Sequence, residues 1–270
     1  MTETAGPEKV RSADQIGLSA REAAAPPPRD APPRDDGASW ARKVDRLEVD
    51  HRDGVRGTNV AGRRLTGPVQ GFGKMWQKTY RMNAGTQITP EAAIAVWREH
   101  FPEFWPKGNR FAGALTGINP GDVALLDLSV GGGVKLSTGV FVLYADAESF
   151  TLMTPQGHMF AGWITFSAYT EDGETYAQAQ VLMRASDPLY EIGMTLGGHK
   201  KEDEHWMHTL RALALYLGAD GEVTMQTVCV DRKRQWSRAA NVWQNSGIRS
   251  GMHMTTAPIR LVAKPFRRGG

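Results

Sequence analysis

Cysteine is almost absent from this sequence, because only Cys229 among the 270 residues carries a thiol. An intramolecular disulfide and a multi-cysteine zinc or iron–sulfur site are therefore excluded, and this cysteine usage is typical of a reducing compartment. No apolar run approaches the roughly 20 residues that a membrane-spanning helix requires. The N-terminus also lacks the apolar core of a signal peptide. These absences predict a cytoplasmic protein without a membrane span.

An excess of charge of one sign is also missing, since 32 basic residues oppose 29 acidic ones and the net charge is only +3. The basic residues are interspersed with acidic ones, which argues against nucleic acid as a partner. The segment DRKRQWSRAANVW, residues 231–243, is the exception and could contact RNA or anionic lipid. Because Trp236 and Trp243 are one heptad apart, we favour their role as anchors that fasten a helix to the domain.

Motifs for phosphate, dinucleotide or nucleophilic chemistry are absent as well. The sequence has no G-x-S-x-G, G-x-x-x-x-G-K-[ST] or G-x-G-x-x-G, and GFGKMW lacks the required spacing. Cys229 lies in an apolar run, where a buried and unreactive thiol is expected. We therefore predict no cofactor and favour a non-enzymatic protein.

The first 60 residues differ in composition from the rest of the chain. They contain AAAPPPRDAPPRDDG and show no hydrophobic periodicity. Such a segment buries too little apolar surface to offset the entropy of ordering, so residues 1–60 are predicted to be a disordered tail. PPPRDAPPR could instead be a polyproline ligand for a protein partner. Residues 265–270 are predicted to be a disordered basic end.

Ordered structure is predicted to begin with an alternating strand in GFGKMWQKTYRM, which places three large residues on one side: Trp76, Tyr80 and Met82. Thr89 as N-cap and Pro90 in the first turn then predict a helix. Residues 121–186 contain five short apolar runs separated by turns too short for crossover helices, which indicates an antiparallel meander. The last run has a narrow face formed by Ala177, Ala179, Val181 and Met183.

A long helix is predicted after Asp187–Pro188, with a bend at Gly197 and Gly198. Its apolar side follows 4-3-4 spacing through Trp206, Leu210, Leu213 and Leu217, and it is expected to lie on the narrow strand face. VTMQTVCV then predicts another strand, and the Arg/Trp segment a last helix. Residues 221–264 form this strand–helix extension.

The run TPQGHMFAGWITFSAYTEDGETYAQAQVLMRASDPLYEIGM, followed by HTLRALALYL, resembles an uncharacterised protein family distantly related to START and birch-pollen-allergen-like (SRPBCC) ligand-binding proteins. The matching elements are Gly157–His158, Phe166, Asp172–Gly173, Asp187–Pro188–Leu189 and Gly193. The resemblance covers roughly residues 70–218. It implies an α+β helix-grip fold over residues 70–220, in which an antiparallel sheet wraps around a long helix. It brings no established catalytic residues.

This resemblance implies an interior pocket for a small apolar ligand such as a lipid, an isoprenoid or a polyketide-like molecule. The protein would bind or transport this ligand, or convert it without a cofactor. The candidate pocket residues are Trp76, Tyr80, Phe141, Tyr144, His158, Phe160, Ile164, Phe166 and Arg184. The alternative is a structural or regulatory protein with a filled core, which binds a partner through its tail or its Arg/Trp helix.

Several polar residues have two possible roles. His158 could be a hydrogen-bond donor or general base in the pocket, or could only bond a nearby backbone carbonyl. Asp127 would be an acid catalyst if it faces the pocket, and a surface residue if its face is solvated. Arg184, with Gln178 and Gln180, could hold a carboxylate or carbonyl group, or could line an exposed sheet face.

The segment HKKEDEHWMH concentrates metal-ligand residue types. Glu202, His205 and His208 are spaced three apart, so they can share one side of a helix. A carboxylate-bridged di-iron site requires a second Glu-x-x-His on another helix, and the sequence has none. The same residues also fit a charged outer helix face, so we predict no metal site.

Overall fold

Eight antiparallel strands form a single sheet in the computed structural model, which describes residues 36–49, 57, 59–113, 117–131 and 134–250. Their order in the sheet is β2-β3-β4-β5-β6-β7-β1-β8. The strands are β1 (Met75–Gly85), β2 (Arg110–Ala112), β3 (Val123–Gly131), β4 (Val134–Ala145), β5 (Ser149–Met153), β6 (Phe160–Glu171), β7 (Glu174–Ala185) and β8 (Val223–Asp231). The α-helices are α1 (Pro90–Glu99), α2 (Pro188–Gly193) and α3 (His199–Tyr216).

The five predicted strands of the meander are β3 to β7, and each pairs antiparallel with the next. Short turns make this pairing possible, as the link between β6 and β7 illustrates. Asp172 and Gly173 alone connect these strands, and both have positive φ angles, 52° and 80°, as a tight hairpin turn requires. Strand β2 was not predicted, because three residues are too few to establish an alternating pattern.

Helix α1 begins as its sequence predicts. The Thr89 hydroxyl accepts a hydrogen bond from the backbone N–H of Ala92 at 3.3 Å, and Pro90 occupies the first turn. Ile94 and Trp97 are fully buried against the sheet. The face of the sheet that α1 covers, here called the inner face, carries the larger hydrophobic cluster.

Helices α2 and α3 are separated by a kink at the predicted glycines. The Asp187 carboxylate caps α2 by accepting from the backbone N–H groups of Leu189 and Tyr190 at 2.8 and 3.1 Å. A single π-helical turn, Met194–Gly198, follows, and Gly197 has a φ of 114° that interrupts the helical path. Among the described residues, none of the helices combines the length and apolarity needed to cross a bilayer.

Helix α3 packs on the inner face through Leu210, Leu213 and Ala214, which are fully buried. Ala177 and Ala179 of β7 belong to the same cluster, and their small side chains let the helix approach the sheet closely. A meander that grips a long helix, with a short helix after the first strand, is the helix-grip architecture. The predicted α+β helix-grip fold is therefore confirmed.

The outer face of the sheet is partly covered by a segment that was predicted to be disordered. Leu47 and Val60 are buried there with Leu125 and Phe141. The backbone N–H of Ala41 also donates to the carbonyl of Leu143 at 2.9 Å. The prediction of disorder is therefore wrong for the described part of residues 36–60. Apolar side chains of this segment, such as Leu47 and Val60, pack on β3 and β4. The Pro/Ala/Arg-rich block through residue 35 and the basic end at 265–270 lie outside the described residues.

The C-terminal extension confirms one prediction and corrects another. Strand β8 pairs with β1 at one edge of the sheet. The Arg/Trp segment forms a 3₁₀ helix, Trp236–Gln244, in which Trp236 is 74% and Trp243 84% exposed. The prediction that both tryptophans anchor this segment is wrong, because residues seven apart do not share one side of a helix with three residues per turn.

Polar side chains hold the extension in place instead. The Asn241 side-chain amide donates to the carbonyls of Gln70 and Ser186, both at 2.9 Å. Asn245 donates to the Asp187 carboxylate at 2.8 Å. Asn245 is buried, so this bond is sheltered from water. The extension is therefore joined to the start of α2.

Gly157 is predicted to be essential for this attachment. A Cβ atom at Gly157 would lie 2.1 Å from the Gln244 carbonyl oxygen, whereas one at Gly173 would meet open space. Both glycines have positive φ angles, so their alanine variants share the backbone strain. We expect Gly157→Ala to lower the free energy of unfolding, measured by urea denaturation, by about 1–3 kcal/mol more than Gly173→Ala. Equal losses would contradict the close contact with Gln244.

Candidate functional site

A cavity of about 770 Å³ lies between the inner face of the sheet and helices α2 and α3. Most of its wall is apolar and comes from the meander, including Leu126, Leu128, Val140, Leu152, Ile164 and Val181. These residues reach the cavity because alternate residues of a strand face the same side of a sheet. The volume falls within the roughly 300–1,000 Å³ that is typical of small-molecule sites.

Exposed charged residues mark the opening of this cavity. Lys107 follows α1, and Lys201, Glu204 and His208 lie on the first turns of α3. All four are exposed and also belong to the lining. The mouth therefore lies beside the N-terminal half of α3, and the apolar wall extends inward from it.

His158 lies in the wall just before β6. The imidazole Nδ1 lies 3.0 Å from the backbone nitrogen of Phe160 and 3.3 Å from its carbonyl oxygen. We assign the ring proton to Nε2, because in the shorter contact Nδ1 accepts from the N–H. Burial lowers the pKa of His158 from 6.5 to about 4. The ring is therefore neutral near pH 7, and its Nε2–H is a hydrogen-bond donor.

Tyr190 of α2 also lines the cavity, and hydrogen bonds connect it to the turn that carries His158. Its hydroxyl oxygen accepts from the backbone N–H of Gly247 and lies 3.1 Å from Ser246 Oγ. Ser246 Oγ in turn donates to the Gly157 carbonyl at 2.5 Å. Burial raises the pKa of Tyr190 to about 12. The phenol therefore stays protonated at neutral pH.

A buried charge network forms another part of the wall. Lys78 Nζ lies 2.8 Å from Glu202 Oε2 and 2.6 Å from Asp203 Oδ1. The Tyr80 hydroxyl donates to the same Asp203 oxygen at 2.6 Å, and burial together with the adjacent carboxylates raises the pKa of Tyr80. Only Glu202 of these residues lines the cavity. Lys78 was not predicted as a site residue, although its position on the same strand face as Tyr80 was a signal in the sequence.

The three residues considered as metal ligands have separate surroundings. Glu202 is paired with Lys78, while the His205 ring packs against Trp105 and Trp206 at 4.8 and 4.7 Å. Burial and the neighbouring His208 lower the pKa of His205 to about 4. Within the described part of the chain, no group of three His, Cys, Asp or Glu side chains is placed to hold a metal.

Three of the nine candidate pocket residues line the cavity: His158, Phe160 and Ile164. Their contact with a ligand stays a prediction. Two others, Tyr80 and Phe166, face the same side of the sheet but are buried in the core, where the Trp97 ring lies 5.0 Å from that of Phe166. Trp76 packs against the His199 ring at 5.1 Å. These three residues do not line the cavity.

The remaining three candidates do not line the cavity, because other contacts of the sheet hold their side chains. Phe141 belongs to the outer cluster, and the Tyr144 ring packs on Trp40 at 4.7 Å. The buried Arg184 guanidinium donates to the carbonyls of Gly73 and Lys233 at 2.6 and 2.8 Å and pairs with Asp231. Arg184 therefore joins β7 to the segments before β1 and after β8.

Asp127 and the glutamines of β7 are also outside the cavity wall. Asp127 accepts a hydrogen bond from Ser137 Oγ at 2.7 Å, and its neighbours Leu126 and Leu128 are the β3 residues that line the cavity. Gln178 donates to Ser167 Oγ at 3.1 Å. The solvated alternative for Asp127 is thus closer to the structure than a carboxylate facing the pocket.

Several residues that line the cavity were not predicted as pocket residues. Trp105, Tyr190, Met194 and Trp206 come from segments around the helices rather than from the strands. Trp206 was predicted only as an apolar residue of the long helix. No sequence signal showed which of these side chains would border the cavity, because that depends on how the helices are placed across the sheet.

The Lys78 network generates a stability prediction. Replacing a buried cation by an apolar residue removes the ion pairs of Glu202 and Asp203, so Lys78→Met should lower the free energy of unfolding by about 3–5 kcal/mol. Lys200→Met is the matched control, because Lys200 is exposed and its ion pair with Glu204 is long, at 3.9 Å. The control should cost less than about 1 kcal/mol. Similar losses in the two variants, measured by urea denaturation, would contradict a stabilising role for the network.

His158 generates a prediction for pH dependence. Its pKa is about 4 in the folded protein against 6.5 ordinarily, so between these values the unfolded chain binds more protons. The free energy of unfolding should therefore fall by up to about 3 kcal/mol on this account as the pH drops from 6.5 to 4. In His158→Asn, whose side-chain oxygen can still accept from the Phe160 N–H, this part of the pH dependence should vanish. An unchanged pH profile in the variant would show that His158 is not the responsible group.

Comparisons with known proteins add little beyond the architecture. No protein-family model matches this sequence, and no curated protein matches it significantly. Similar solved structures include the di-domain ARO/CYC protein StfQ from the steffimycin biosynthetic pathway, with 10% identity and a TM-score of 0.42 over 54% of this chain. The match spans 51% of StfQ, about half its length.

Two further similar structures are matched over nearly their whole length. Ara h 8.0201 shows 13% identity and a TM-score of 0.38 over 52% of this chain and 97% of its own. A START superfamily protein from Mycobacterium smegmatis shows 22% identity and a TM-score of 0.37 over 54% of this chain and 98% of its own. Similarity at this level carries no argument about function. The helix-grip assignment therefore rests on the strand order and helix positions of this chain.

Proposed function

We propose that this protein binds a small, largely apolar molecule in the cavity between the sheet and α3. The observation that carries the proposal is a cavity of about 770 Å³ with a predominantly aliphatic and aromatic wall. Transfer of an apolar molecule from water to such a wall is favourable by about 25 cal/mol per Å² of buried apolar surface. A lipid, an isoprenoid or a polyketide-like molecule fits these requirements.

The polar groups of the wall add a requirement for the ligand. Neutral His158 offers an Nε2–H donor, so the ligand should carry an acceptor such as a carbonyl or hydroxyl oxygen. A pKa of about 4 makes this imidazole a weak general base near pH 7. His158 is therefore better suited to orienting a ligand than to removing a proton from it. This chemistry favours binding or transport over catalytic conversion.

The alternative is a structural or regulatory protein with a filled core. A filled core does not agree with the observed cavity, because the unfilled space next to Leu152, Ile164 and Val181 lacks the packing contacts of a filled core. A ligand would restore these contacts in the loaded protein. The exposed Trp236 and Trp243 remain an argument for a surface interaction, and such an interaction is compatible with a ligand in the cavity.

Native mass spectrometry of the freshly purified chain distinguishes the two functions, when it is followed by organic extraction of any passenger. A stoichiometric apolar molecule released on extraction would support the cavity as its site. A protein that is empty and also fails to take up lipids and the fluorescent probe anilinonaphthalene sulfonate would overturn the proposal.

A substitution that fills the cavity should block this uptake. Val181 lines the cavity, so the added ring of Val181→Phe would occupy space that the probe needs. We expect affinity for anilinonaphthalene sulfonate, measured by fluorescence titration, to fall at least about tenfold, equivalent to about 1.4 kcal/mol. The cost in unfolding free energy should be below the roughly 1–3 kcal/mol of overpacking in a filled core.

Val228→Phe is the matched control for this experiment. It makes the same chemical change on the exposed strand β8, outside the cavity wall. Its affinity for the probe should equal that of the unchanged protein. Equal affinity in Val181→Phe and Val228→Phe would place probe binding outside the cavity.

A further inference from the structure

Four large apolar side chains form an exposed patch on the side of α2 that faces away from the cavity. Leu189 is 49%, Ile192 56%, Leu196 81% and Trp236 74% exposed. Ile192, Leu196 and Trp236 border one groove. Leu189 shares a side of α2 with Ile192, because the two residues are three apart on a helix. We call the four residues the Leu196 patch. Single exposed apolar residues are ordinary, but a contiguous group of this kind marks an interaction surface.

Leu196, the most exposed residue of the patch, lies at the kink between α2 and α3. Leu196 immediately precedes Gly197, whose positive φ interrupts the helix. The Trp236 ring lies against Phe72 at 5.2 Å, which fixes the second large side chain of the groove. The patch is therefore assembled from the kinked helix pair and the C-terminal extension. Neither part could present it alone.

Basic residues flank the patch. Arg232, Lys233 and Arg238 are exposed on the segment that carries Trp236. Two acidic residues of the adjoining segments are paired, since Glu191 lies 2.9 Å from Arg234 and Asp231 pairs with Arg184. The segment around Trp236, residues 231–238, therefore carries an excess of positive charge.

We propose that the Leu196 patch and its flanking Arg232, Lys233 and Arg238 dock this protein on an anionic lipid bilayer. Aliphatic and tryptophan side chains can enter the boundary between headgroups and acyl chains. Adjacent lysine and arginine residues are attracted to anionic headgroups. The combination fits lipid better than RNA, because Leu189, Ile192 and Leu196 cannot stack on bases as an aromatic platform does.

The docking surface and the cavity share the same short segment of chain. Tyr190, Gly193 and Met194 of this segment line the cavity, while Ile192 and Leu196 point to solvent. Docking would therefore bring one wall of the cavity next to the bilayer. The docking proposal does not rest on the proposed ligand function, since the exposed side chains and charges are present whatever the cavity holds.

Co-sedimentation of the full chain with lipid vesicles tests the proposal. We expect binding to vesicles of equal parts phosphatidylserine and phosphatidylcholine, and at least about tenfold weaker binding to phosphatidylcholine alone. Raising the ionic strength should weaken binding to the anionic vesicles, because salt screens exposed charges. Absence of binding to the anionic vesicles would overturn the proposal.

Paired variants locate the binding surface. Leu196→Gln should weaken anionic-vesicle binding about fivefold or more, while Leu215→Gln should not, because Leu215 is also exposed, at 60%, but lies near the C-terminal end of α3. The double variant Arg232→Gln/Lys233→Gln should weaken anionic-vesicle binding at least about tenfold. Its control, Arg42→Gln/Lys43→Gln, removes one arginine and one lysine from another exposed site and should leave anionic-vesicle binding nearly unchanged.

Three results would contradict docking through this surface. Equal weakening by the patch variants and their controls would indicate general attraction of a basic protein. Binding of single-stranded RNA with loss in the same variants, but no vesicle binding, would identify a nucleic-acid surface. A dimer in size-exclusion chromatography that Leu196→Gln converts to a monomer, again without vesicle binding, would identify the patch as a contact between two copies.

Discussion

The buried Lys78 network joins the start of α3 to β1, and Glu202 of this network also lines the cavity. Lys78 on β1 binds Glu202 and Asp203, which lie in the first turn and a half of α3. At the other end of the helix, Leu210 and Leu213 pack in the apolar core, and the Tyr216 hydroxyl lies 3.0 Å from His100 Nε2. Ion pairs between buried groups require defined geometry, whereas apolar contacts tolerate sliding. The network therefore favours one register of the helix on the sheet, in which the N-terminal half of α3 borders the mouth of the cavity.

The kink before this network divides the helical region into surfaces with different roles. Asp187 and Asn245 fasten the start of α2 to the C-terminal extension, and Lys78 fastens the start of α3 to the sheet. The π-helical turn between these two attachments carries Met194 toward the cavity and Leu196 toward solvent. One short segment thus connects the proposed ligand site with the proposed lipid-docking surface.

Local sequence patterns predicted most of the fold and little of the site. Strands β3 to β7, the Thr89 cap, the Asp187 cap and the kink at Gly197 all follow from rules that act within a few residues. Three of nine candidate pocket residues line the cavity, because alternation shows which residues share a strand face but does not fix how the sheet and helices enclose it. Phe141 and Arg184 have the size and chemistry of pocket residues, yet other segments cover them.

Composition and local periodicity were sufficient to predict the order of most strands and helices, the absence of an intramolecular disulfide and the near balance of charge. The burial of Lys78, the place of His158 beside a cavity and the exposure of Trp236 follow only from the folded structure. Each of these outcomes depends on contacts between residues far apart in the chain. Such contacts set the solvation of a side chain, and solvation in turn determines whether it stabilises the core, contacts a ligand or meets a partner.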